Sequence, residues 1–175
     1  GKKLLDRRAA EAHEAQWGQL ATTASPEAML DLATASDNPA FQAEARLAAG
    51  DAFLALAVKA GSQTTVDKQQ RDDALTNAAN VYTLLSKDAT APAVHKLHAG
   101  LGLAAVAEAR GQLDEAVTHY TQTAQQAGEL FPVIRDRAEA RLAYVDRLKK
   151  PVSFGKEPPP ATQPAGDASA FPGAP

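Results

Sequence analysis

The chain has 175 residues, 45% hydrophobic and 22% charged, with a formal net charge of −3 and no cysteine. That length suffices for one domain with one core. The missing cysteines exclude disulfides and thiolate metal sites, and the slight acidity argues against nucleic acid as the main partner, because phosphate binding needs a basic stripe.

The first predicted helix covers 2–21, with Leu5, Ala9, Ala12, Gln16 and Leu20 at helical spacing. Ser25-Pro26-Glu27 is an N-cap, N1 and N2 pattern that starts a short helix over about 26–36, with Met29, Leu32 and Ala33 inward. Asp37-Asn38-Pro39 ends it and caps the next helix, about 39–60. That helix carries Phe41, Ala45, Ala49, Ala52, Phe53, Leu56 and Ala60 on one stripe, and Gly61 is placed to close it as a left-handed cap.

Residues 62–70 are polar and read as a loop and first turn before a helix over about 68–87, with Ala74, Ala78, Val81, Tyr82 and Leu85 inward. The fifth helix, about 91–110, is apolar almost all round between Ala99 and Ala107, so it should be central. Gly111 ends it. The sixth, about 113–127, shows Leu113, Ala116, Val117, Tyr120, Ala124 and Ala127, and Gly128 stops it. Pro132 opens the seventh, about 132–149, with Ile134, Ala138, Leu142, Val145 and Leu148 inward. No segment alternates as a strand does.

Two helix types each occur twice. Ala49-Gly50, Ala55, Ala57 and Gly61 recur fifty residues later as Ala99-Gly100, Ala105, Ala107 and Gly111. Leu75, Ala78, Tyr82 and Thr83 recur thirty-eight residues later as Leu113, Ala116, Tyr120 and Thr121. The unequal offsets give the first hairpin about twelve extra residues. Tyr82 and Tyr120 are expected to fill the space between hairpins. The predicted fold is all-α, with tandem helix-turn-helix hairpins over 1–150. The Pro-rich segment 151–175 cannot bury enough apolar surface to offset its ordering entropy and reads as a disordered tail.

Leu103-Ala104, Ala107, Gly111, Leu113, Asp114-Glu115-Ala116 and Tyr120 resemble a tetratricopeptide repeat, and Phe53, Ala57, Gly61, Ala78 and Tyr82 repeat the match in the first hairpin. Thr123 stands where that family usually has Ala, and Gly128 replaces the expected proline after the second helix. The resemblance implies an α-solenoid that binds other proteins. More narrowly, the chain resembles the extracytoplasmic domain of ancillary translocon subunits, which are bacterial membrane-anchored proteins. That likeness implies a tether upstream of Gly1 (the basic Gly1-Lys2-Lys3 opening is compatible with a truncated anchor), a domain facing the periplasm, and envelope proteins or chaperones as partners. The alternative location is the cytoplasm.

Chemistry is sparse. His95 and His98 share a helix face and could ligate one metal, but no third ligand is evident and Glu108 lies too far along; they read as exposed histidines at a helix start. Asp72-Asp73 and Asp114-Glu115 read as first-turn carboxylates that favour the helix dipole rather than a catalytic pair. Gly100-Leu101-Gly102 lies inside a helix and is no nucleotide fingerprint. Trp17 reads as packing against the following hairpin, with a partner anchor as the other reading. No catalytic, cofactor-binding or metal residue is assigned, and an enzyme is the least favoured class.

Counting back from the turn glycines, the concave face is lined by Ala48, Asp51, Ala55 and Val58 in the first hairpin and His98, Leu101, Ala105 and Glu108 in the second. The expected groove is shallow and mildly acidic, fit for an extended or helical peptide. The expected function is a non-catalytic protein-interaction scaffold; the alternative is a self-associating structural module.

Overall fold

The structure, a computed structural model, describes residues 2–61 and 64–150, with side chains from residue 11 onward except His13. The tail over 151–175 lies outside the described residues. Seven helices and no strand are found among the described residues: α1 Lys2–Thr22, α2 Pro26–Ala35, α3 Pro39–Ala60, α4 Thr65–Lys87, α5 Ala93–Ala109, α6 Leu113–Ala127 and α7 Pro132–Leu148.

Helix starts follow local chemistry. Ser25 accepts the Ala28 N–H at 3.3 Å with Pro26 at N1, and Asn38 accepts the Ala40 and Phe41 N–H groups at 2.9 and 3.2 Å. These side chains satisfy donors that have no partner within the helix. α5 begins at Ala93 rather than near 91, because Pro92 lacks an N–H and disfavours helical backbone in the residue before it. Gly61 and Gly128 close α3 and α6 with φ of 74° and 49° and ψ of −156° and −140°. The positive φ agrees with the cap expected at Gly61. The extended ψ replaces the left-handed cap with a conformation still more restricted to glycine.

From Thr65 onward the extra residues of the first hairpin form helix rather than loop. Thr64 accepts the Asp67 N–H while Asp67 accepts the Thr64 N–H, both at 3.1 Å, so a capping box starts α4 at Thr65. Asp72 and Asp73 therefore sit well inside α4 and not in its first turn, where Gln69 donates to Asp73 at 2.8 Å. Asp114 and Glu115 do occupy the first turn of α6. We expect Thr64→Ala to cost about 1 kcal/mol and to speed amide exchange in the first turn of α4. Unchanged exchange there would show that the box does not hold the helix start.

Each helix packs chiefly on the next in sequence, and α3 also meets α5 while α5 also meets α7. Arg46–Asp88 and Asp51–Tyr82 contacts run α3 and α4 antiparallel, since one number rises as the other falls. Ala99 and Val106 of α5 belong to a core with Phe53, Ala57, Leu75, Ala78, Tyr82 and Leu85. Leu97, Leu101, Ala104 and Ala107 belong to a second core with Ala116, Tyr120, Ile134, Ala138 and Val145. This division accounts for the all-round apolar character of α5.

Glycines set how closely the helices meet. Tyr82 is fully buried, and a Cβ added at Gly50 or Gly102 would lie 2.6 or 2.4 Å from its ring. Its ring thus fills a gap between α3 and α5. Gly100 plays the same part for Thr123, whose Oγ1 would stand 2.4 Å from an added Cβ. Thr123 is buried, and its hydroxyl donates to the His119 carbonyl at 2.8 Å, which satisfies it locally. A methyl side chain at this position would leave the Gly100 gap unfilled.

Some stripe residues are not inward. Leu56 and Leu148 are exposed, because the buried rows run Phe53 to Ala57 and Ala138 to Val145 instead. In α1, Leu20 is buried and Gln16 half-buried, but Ala12 is exposed; the side chains of Leu5 and Ala9 lie outside the described residues. Trp17 meets Phe41 edge-on, with ring centroids 5.0 Å apart, and remains about one-third exposed at 37%.

Candidate partner-binding surface

The contacts of α3, α5 and α7 bring one side of each helix to a common face. Leu47, Asp51 and Leu54 of α3 meet His98, Leu101 and Ala105 of α5 and Arg137 of α7 around a small cleft. A second cleft of about 250 Å³ continues along α5 and α7 between Leu101, Ala105, Tyr120, Arg137 and Arg141. The α5 stripe is the expected one, with His98, Leu101 and Ala105 lining the clefts and Glu108 beside them. Leu101 is largely buried and serves the core as well.

On α3 the expected set divides. Asp51 lines the cleft, and Val58, 77% exposed, continues the same helical row beyond it. Ala48 and Ala55 each follow a cleft residue, Leu47 and Leu54, by one position, roughly 100° further round the helix. Ala48 packs instead with Leu20, Ala33 and Phe41 in the core between α1, α2 and α3, and Ala55 is exposed outside the clefts.

The face is not mildly acidic. Asp51 accepts the Tyr82 hydroxyl at 2.6 Å. Glu108 accepts the Tyr120 hydroxyl at 2.6 Å and the Arg141 Nε–H at 3.2 Å, and its second oxygen pairs with Arg141 Nη2. Arg141 also lies over the Tyr144 ring, 4.9 Å from its centroid. Both carboxylates are thus engaged, and α7 adds two guanidinium groups. Burial, followed by the hydrogen bond to Glu108, pushes the Tyr120 phenol up to about 12. Arg137 and Arg141 fall outside the expected set because counting back from the turn glycines reaches only α3 and α5. The buried row Ile134, Ala138 and Val145 was the available signal, since it places 137 and 141 on the neighbouring side.

His95 and His98 diverge. His95 Nε2 lies 3.0 Å from Glu44 Oε2 on α3, and its side chain is 16% exposed, so it is not the exposed helix-start histidine expected. Its Nδ1 is buried without a hydrogen-bond partner. His98 turns to the α7 side, where it lines two clefts together with Arg137. Among the described residues no three His, Cys, Asp or Glu side chains group as a metal site would need, and no helix is long and apolar enough to cross a membrane.

The fold and this face define an all-α chain of successively packed helices with a mixed apolar and charged surface across three of them. No protein-family model, curated protein or solved structure matches it.

Proposed function

We propose that the chain is a non-catalytic protein-interaction module whose partner lies across α3, α5 and α7. The observation that carries this reading is the row of Asp51, Leu54, His98, Ala105 and Arg137 around shallow clefts, with Leu54, His98 and Ala105 between the two charged residues. Such a row suits an extended or helical segment better than a small molecule, which needs most of its surface enclosed. On this proposal the helices form a tetratricopeptide-like solenoid, and the domain is tethered in the bacterial envelope facing the periplasm. The residue likeness described above is what supports those parts.

Crosslinking and pull-down of the full-length protein from its native membrane, compared with an Ala105→Arg variant, tests the reading. Ala105 lines both clefts and is half-buried at their floor, so the new side chain is expected to abolish capture while the helical signal is unchanged. Ala55→Arg, outside the clefts, is expected to retain capture. Full retention by Ala105→Arg would remove the face from consideration.

A further inference from the structure

One exposed apolar patch lies beyond the row just described. Leu130 and Val133, at the α6–α7 connection, are 87% and 80% exposed. They rim a cleft of about 390 Å³ with Val94, Phe131 and Ile134, and its remaining edge carries His98 and Arg137. The cleft is therefore apolar along one side and cationic along the other.

Arg137 differs from its neighbours on α7. Arg135 pairs with Glu129 and Asp136, and Arg141 pairs with Glu108. No ion pair or hydrogen bond of Arg137 is found among the described residues. Asp51 shares a cleft with it but lies beyond ion-pair distance and accepts the Tyr82 hydroxyl instead. An exposed guanidinium beside protruding apolar side chains is the composition of an interface hot spot.

We infer that the α6–α7 end cleft docks an acidic amphipathic segment of another protein, one apolar side chain seated against Leu130, Val133 and Val94 and a neighbouring carboxylate paired with Arg137. Charge complementarity selects the carboxylate, because the one cation of the cleft rim with no acidic neighbour in reach is a planar fork that binds carboxylates bidentately. Shape selects a macromolecule over a small amphiphile. Leu130 and Val133 stand out from the surface rather than enclosing a chamber, and only a broad partner surface covers protruding groups. The inference shares His98 and Arg137 with the row across α3, α5 and α7 and extends the interaction reading to a separate end of the fold.

The test is selection of a random twelve-residue peptide display pool against the full 175-residue chain. The expected winners carry Asp or Glu one residue or one helical turn from Leu, Ile or Phe. Against Arg137→Glu the acidic preference should reverse to Lys or Arg, and Val133→Asp should weaken the best wild-type peptide about tenfold or more. Both positions are exposed, so circular dichroism should show intact helices. Winners with no acidic preference, an empty selection, or unchanged winners against Arg137→Glu would each overturn the inference. Winners lost with Ala105→Arg but kept with Val133→Asp would also overturn it, and would leave the reading of the α3–α5–α7 face standing.

Discussion

Tyr82→Ala is expected to lower the unfolding free energy by about 3–5 kcal/mol, the range for deleting a buried aromatic side chain. Among the described residues Tyr82 is the largest fully buried side chain, and its ring supplies the atoms nearest to a Cβ added at Gly50 or at Gly102. Tyr82→Phe keeps the ring and loses only the hydrogen bond to Asp51, so about 1 kcal/mol is expected. Gly102→Ala should cost about 1–3 kcal/mol by overpacking against the ring. Combined with Tyr82→Ala, that second change should become nearly neutral, because the new methyl then enters vacated space. Urea unfolding of the four proteins measures the cycle. Additive losses would mean that the ring and Gly102 do not share one space.

Alkaline pH should unfold the protein through the same tyrosines. Burial, then the hydrogen bond to Asp51 and its charge, raise the pKa of Tyr82; burial and Glu108 raise that of Tyr120 to about 12. Below pH 10 each phenol is protonated in both folded and unfolded chains, and the stabilisation is fully present. Above pH 10 the unfolded chain releases protons that the folded chain retains, so stability falls as pH rises. Each tyrosine removes about 1.4 kcal/mol per pH unit in this window. Two of them over two units remove at most about 6 kcal/mol, comparable with a total stability of about 5–15 kcal/mol. Urea midpoints between pH 9 and 12 should drop accordingly, with tyrosinate absorbance rising together with loss of helix. A Tyr82→Phe, Tyr120→Phe double variant should show a flatter profile. An equally steep decline in the double variant would place the alkaline sensitivity elsewhere.

Helix ends were legible because their chemistry is local. Ser25-Pro26, Asn38-Pro39, Gly61, Gly128 and Pro132 each act within one turn of where they stand. The start of α4 was missed although Thr64 and Asp67 form a capping pair in the sequence; their polar neighbours resemble loop composition. The candidate surface was only half legible. On α5 the row His98, Leu101, Ala105 and Glu108 followed from the period of the helix. On α3, counting from the turn glycine assumed that both hairpins share one register, and they do not. Gly50 faces Tyr82, whereas Gly100 faces Thr123 rather than Tyr120. The pairing of Glu108 with Tyr120 and Arg141 spans two connections, and no local pattern announces it.

That difference between the two glycine contacts has a consequence for assembly. Alanine-coated rods are smooth, and smooth rods slide past one another or exchange places with their duplicates. Here one seam accepts an aromatic plate and the other a branched hydroxyl, so neither lock admits the other's key. A shift of one turn would drive a ring into a solid wall or leave a hole, which guards a duplicated sequence against folding with its halves confused.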